Sequence, residues 1–117
     1  MTEVECHLGH KKEIMAVHDA MDVLNGKWKI SIISSICYYN KRRFSDVLND
    51  VPGISNKMLS KELKELEMNG FVKRIVHTGT PVVVEYQITD YADTLGDVLQ
   101  SLATWGAMHR DKIRQER

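Results

Sequence analysis

Apolar residues recur at Ile14, Val17, Met21 and Leu24, in alternating steps of three and four, which predicts an amphipathic helix over residues 12–25. Asn25-Gly26 supplies its cap or a turn. The next segment, WKISIISSICYY at 28–39, is apolar on most sides and predicts a helix set deep in the core. Arg42-Arg43-Phe44 is a short bridge or a small strand. Ser45 is placed to cap a brief helix through about Asn49, after which Val51-Pro52-Gly53 turns the chain.

The stretch PGISNKMLSKELKELEMNG divides its residues by face. Ser55 is a helix-starting hydroxyl, and Asn69-Gly70 suits a left-handed cap, so the spacing predicts a helix over 55–69. At about 100° per residue, Leu59, Leu63 and Leu66 fall within a sector of roughly 60°. Lys57, Lys61 and Lys64 fall in a similar sector on the opposite side, with Glu62, Glu65 and Glu67 off that stripe. One face is built to pack and the other to meet something negative.

Beyond Gly70 the pattern turns extended. Residues 71–76 and 82–88 are rich in β-branched and aromatic side chains, and His77-Thr78-Gly79-Thr80-Pro81 joins them as a polar hairpin tip. Thr89 or Asp90 then starts a long helix to about residue 115, with Tyr91, Leu95, Val98, Leu102 and Trp105 forming a narrow, heptad-like seam. Helix, helix, short helix, lysine-faced helix, hairpin and long helix make an α+β, mainly helical chain. The order predicts a winged helix-turn-helix with a two-stranded wing. The seams on residues 12–25 and 90–115 exceed what one such core covers, which predicts dimerisation helices and a homodimer.

Composition sharpens this picture. The 117 residues, 43% of them hydrophobic, suit a single domain. The formal net charge is +0, which taken alone argues against a nucleic-acid partner. The distribution reverses that inference: residues 27–64 hold eight basic and three acidic side chains, and the rest of the chain is correspondingly acidic. The two cysteines, the absence of an apolar leader in MTEVECHLGHKK and the lack of a membrane-length apolar run predict a cytoplasmic domain with residues 1–11 as a polar arm.

Candidate contacts can be assigned from these placements. Ser55, Asn56, Lys57, Ser60 and Lys61 lie near the helix start, where side chains and free backbone N–H groups meet base edges or phosphates. Lys64 is a phosphate contact. Arg42 and Arg43 contact the DNA backbone or brace the wing. His77, Thr78, Gly79 and Thr80 form a wing tip without lysine or arginine, so its contact is expected to be weak; Lys73 and Arg74 at the wing base supply charge. The histidines are scattered, no nucleophile has a base at suitable spacing, and no phosphate loop is present, so neither an enzyme nor a cofactor is expected. Cys6-His7-x-x-His10 offers three metal ligands without a fourth, and no metal is assigned. Cys37 reads as a small core residue, and Trp28 and Trp105 as core or interface packing. The rival class is a winged-helix interaction module without specific DNA binding, which leaves the lysine stripe without a target.

GKWKISII at 26–33, RRFSDVLNDVPGISNKMLSKELKELEMNGFVKR at 42–74, PVVVEYQITDYADTL at 81–95 and WG at 105–106 together resemble the HxlR-type transcriptional regulators, small winged-helix proteins related to the MarR group. The resemblance implies a homodimer formed by the first and last helices, with two recognition helices reading a palindromic operator. It implies a repressor in the main, with activators and sensors of oxidants also in the family. One position departs: the cysteine often found about thirteen residues before the tryptophan is replaced here by Met15. A thiol switch would have to use Cys6, in the arm; a small ligand between the dimer helices, or no sensing at all, is the alternative, and the residues name no small-molecule effector.

Overall fold

The computed structural model describes residues 8–116, so Cys6 and His7 lie outside it. Six helices and three strands succeed one another: α1 (Lys11–Val23), α2 (Lys29–Tyr39), β1 (Lys41–Arg43), α3 (Phe44–Asp50), α4 (Asn56–Met68), β2 (Val72–His77), β3 (Val83–Ile88), α5 (Asp90–Asp93) and α6 (Gly96–Gln115). The core gathers where the sequence is most apolar. Ile32, Ile33 and Ile36 of α2 meet Val47 of α3 and Leu59, Leu63 and Leu66 of α4, all essentially inaccessible to water. Val51, Ile54, Phe71, Val72 and Ala92 close this cluster from the turns and the sheet.

The ends of α4 behave as its sequence predicts. The Ser55 hydroxyl accepts the Met58 N–H at 3.1 Å, satisfying one of the free donors of the first turn. At the other end Gly70 has φ +81°, with Gly70 N bonded to Glu67 O and Phe71 N to Leu66 O, a paired Schellman closure. Ser45, by contrast, does not cap α3. Arg43 occupies the cap position, and the Asp46 carboxylate accepts its backbone N–H at 3.1 Å.

One expectation narrows and two change. Of the bridge or small strand expected at 42–44, Lys41–Arg43 form a strand pairing antiparallel with β3, Lys41 opposite Gln87 and Arg43 opposite Glu85, so the wing hairpin sits in a three-stranded sheet of order β1-β3-β2. The long last helix is broken. Thr89 starts α5 by accepting the Ala92 N–H, but Thr94 and Leu95 bond three residues back, and the chain re-forms as α6 at Gly96. Leu24 leaves the first seam, because the chain bends after Val23 and turns this leucine into the core at 7% exposure.

The helices α1 and α6 bury no residue at all. Ile14, Val17 and Met21 on the first, and Val98, Leu102, Trp105 and Met108 on the second, stay exposed. The radius of gyration, 17.2 Å, is well above the roughly 13 Å of a compact chain this long, and it reflects these outlying helices. Among the described residues, no helix is long and apolar enough to cross a membrane.

Candidate nucleic-acid interface

The α3–turn–α4 unit is fixed by its turn. Val51 N bonds to Val47 O, Ile54 N to Val51 O, and Gly53 takes φ +84°, a conformation that costs a side-chain-bearing residue strain. This places Ser55 and the N-terminal turn of α4 at the surface. With the leucines turned inward, Asn56, Lys57, Ser60, Lys61 and Lys64 are all exposed, as the helical spacing predicts.

The inner flank of α4 carries a feature that sequence periodicity missed. Lys29, at the start of α2, is only 3% exposed. Its ammonium donates to Glu62 at 2.5 Å, to Glu65 at 2.7 Å and to the Asn25 side-chain oxygen at 3.2 Å, filling all three of its donor positions. Burial alone would lower the lysine pKa; the hydrogen bonds to Glu62 and Glu65 outweigh it and hold the group above its ordinary value. The bond from Lys29 in turn draws the Glu65 carboxyl below the usual range. Lys29 is therefore not part of the outward positive charge, although it lies in the basic segment. A lone lysine in the apolar run WKISIISSI was the available signal, since a buried ammonium requires partners.

Arg42 and Arg43 separate. The Arg42 guanidinium lies 3.7 Å above the Tyr39 ring and donates to Asp50, which also accepts the Ser35 hydroxyl at 2.7 Å. Those bonds, from Ser35 first and Arg42 second, hold the Asp50 carboxyl below its ordinary value. Arg42 thus ties β1 to α2 and α3, which favours the bracing role over a DNA contact. Arg43 is exposed.

Strand alternation also parts Lys73 from Arg74. Arg74 pairs across from Tyr86 and shares a surface hollow with Ser60, Lys64 and Glu67 of α4, which extends the basic surface onto the wing. Lys73 sits on the other face of the sheet, in a hollow lined by Cys37, Asn40, Gln87, Asp90 and Asp93. His77 ends β2 and bonds Glu85 at 2.6 Å, so it belongs to the strand and not to the tip. Thr78, Gly79 and Thr80 form the exposed tip. Cys37 is a half-buried free thiol at the edge of α2, more accessible than a core residue.

Of the seam residues, Ile14, Val17, Met21, Tyr91, Val98, Leu102 and Trp105 are exposed, and Leu95 packs partly on the core. Trp105 stacks on His109 of the same helix, with ring centroids 5.0 Å apart, and Tyr91 lies against Phe71 at 5.4 Å.

The family model described as "HxlR-like helix-turn-helix" matches residues 23–114. The chain is 36% identical over 103 residues to YtcD, an HTH-type transcriptional regulator of Bacillus subtilis (strain 168), covering 88% of this chain and 81% of that protein. A solved structure of YtcD superposes with a TM-score of 0.74 at 37% identity, covering 81% of this chain and 96% of that one. A second solved structure, described as the redox regulator HypR in its reduced form, superposes with a TM-score of 0.73 at 33% identity over 86% of this chain and 98% of that one.

Proposed function

The chain belongs to the HxlR-like helix-turn-helix family of transcriptional regulators, and from that premise we propose that it acts in the cytoplasm as a homodimeric repressor of a palindromic operator. The observation that carries this reading is the outer face of α4. Lys57, Lys61 and Lys64 stand exposed beside Ser60 and Asn56 on the second helix of the helix-turn-helix, whose capped N-terminus is open to solvent. In this reading Ser55, Asn56, Lys57, Ser60 and Lys61 meet base edges or nearby phosphates, and Lys64, Arg74 and Arg43 meet the phosphate backbone. Thr78, Gly79 and Thr80 touch the adjacent groove without charge. Arg42 braces the sheet.

The exposed seams of α1 and α6 supply the dimer contact, and two-fold symmetry then sets two half-sites about one helical turn apart. The proposal is tested by recovering bound duplexes from random-sequence DNA and footprinting the protein on them. Two protected half-sites related by a two-fold axis are expected. Recovery of no preferred sequence would leave the protein-interaction reading in its place.

A further inference from the structure

The carboxylates of α4 raise a question of electrostatics. Glu65 lies four residues beyond Lys61, the spacing at which two side chains on a helix surface pair. A free Glu65 would neutralise Lys61 before any phosphate reached it, and Glu62 would add a second negative charge just behind the same face. Among the described residues neither forms an ion pair with Lys61: both carboxylates bond the Lys29 ammonium, Glu62 buried and Glu65 about two-fifths exposed and still close enough to Lys61 to feel its charge. Lys29 stands on a different helix, 33 and 36 residues earlier in the chain. Its side chain is nearly inaccessible, so it touches no DNA itself.

We propose that Lys29 is a positioning residue for DNA binding: by holding the Glu62 and Glu65 carboxylates on its own ammonium, it keeps either from closing an ion pair with Lys61 and leaves that lysine available to phosphate. The inference rests on the DNA-binding reading above. It differs from a purely structural role for the ion pair, because it ties the weakened binding to one freed carboxylate. When Lys61 no longer neutralises a phosphate, the salt dependence of binding falls by about one unit of slope per half-site. Loosening of the fold by an orphaned, buried Glu62 is separated from this by Lys29→Met/Glu62→Met, a background on which the half-exposed Glu65 is neutralised on its own.

The experiment measures affinity and salt slope on a duplex recovered by the parent protein from random-sequence DNA, with circular dichroism reporting the fold. Lys29→Met is expected to weaken binding about tenfold and to flatten the salt slope by about one per half-site. Adding Glu62→Gln and Glu65→Gln to it is expected to restore affinity to within about threefold of the parent. If Lys29→Met does not fold, Lys29→Met/Glu62→Met replaces the buried pair by apolar side chains of similar length, a change often neutral for stability. Glu65 is then left without its Lys29 partner, and Glu65→Gln added to that pair is expected to recover binding. Parent-like binding by Lys29→Met, or no recovery when Glu65 is neutralised, overturns the inference. So does loss of the fold in the Met/Met pair as well, which assigns Lys29 to the core alone. Failure of the parent to bind any duplex overturns the DNA-binding reading itself, and the two failures are thereby distinct.

Discussion

Ile32, Ile33 and Ile36 of α2 and Leu59 and Leu66 of α4 are fully buried, whereas no residue of α1 or α6 is, and of α6 Leu99 packs partly on the core. The helix α4 is amphipathic in sequence, as α1 and α6 are, so periodicity alone does not separate it from them. They differ in the neighbour that the adjoining chain brings to each apolar face. The α2, α3 and α4 faces close on one another through turns of a few residues and are tied further by Lys29 and Arg42 across the helices. Among the described residues, the exposed seams of α1 and α6 find no such neighbour. The helix-turn-helix block is therefore complete in one chain, while the terminal helices present apolar surface that a single copy leaves wet.

The sharpest way to break this contrast is inside the block. Leu63→Ala, at a position 1% exposed, is expected to cost about 2–5 kcal/mol, seen as a large fall in the urea midpoint. The truncation Val98→Ala, on a residue 47% exposed, should hardly move the stability of a monomer. Equal losses for the two in a monomeric state would erase the distinction. Next in size is the effect of Val17→Asp combined with Leu102→Asp. On the proposed assembly, sedimentation should shift from dimer to monomer while helical content persists. A parent that sediments as a monomer at micromolar concentration would remove the basis of this comparison.

A smaller change falls on the start of α4. Ser55→Ala deletes the acceptor for the Met58 N–H and should cost about 1 kcal/mol, with Ser55→Asp retaining most of the stability. The smallest effect is a pH dependence confined to the block. The Asp50 and Glu65 carboxyls are held below their ordinary values of 3.8 and 4.5, so in acid the unfolded chain takes up protons that the folded chain refuses. Their contribution is complete above that range and is lost as pH falls through the lower folded values. Lys29 acts in the opposite direction: its contribution holds below 10.5 and fades as pH rises through its raised folded value. Urea midpoints at one fixed protein concentration should show a shallower acid decline in Asp50→Asn than in the parent.

The local elements were legible in the residues. Leucines at 59, 63 and 66, a hydroxyl at 55 and a glycine at 70 each act within a turn or two of their neighbours, and their helix begins and ends where they indicate. The long-range pairs were not. Strand β1 exists because residues 41–43 meet 85–87, and nothing in three residues rich in positive charge announces that partner. Lys29 reads as surface charge until Glu62 and Glu65 arrive from another helix. Leu24 fits the first seam by spacing, yet the bend after Val23 takes it to the core. The same distinction runs through the candidate site. The exposed lysines are a consequence of helical spacing, whereas the separate fates of Arg42, Arg43, Lys73 and Arg74 depend on sheet register.

The central claim is that the exposed lysine face of α4 meets duplex DNA, and its most direct test is a comparison of the parent with Lys57→Ala/Lys61→Ala/Lys64→Ala on one recovered duplex across a range of salt. Since Leu59, Leu63 and Leu66 are untouched, the variant is expected to keep the parent's unfolding free energy within about 0.5 kcal/mol. Its affinity should fall by at least about a hundredfold at low salt, with the salt slope reduced by about one per half-site for each of the lysines that meets a phosphate. A folded variant that binds with the parent's affinity and slope would contradict the account.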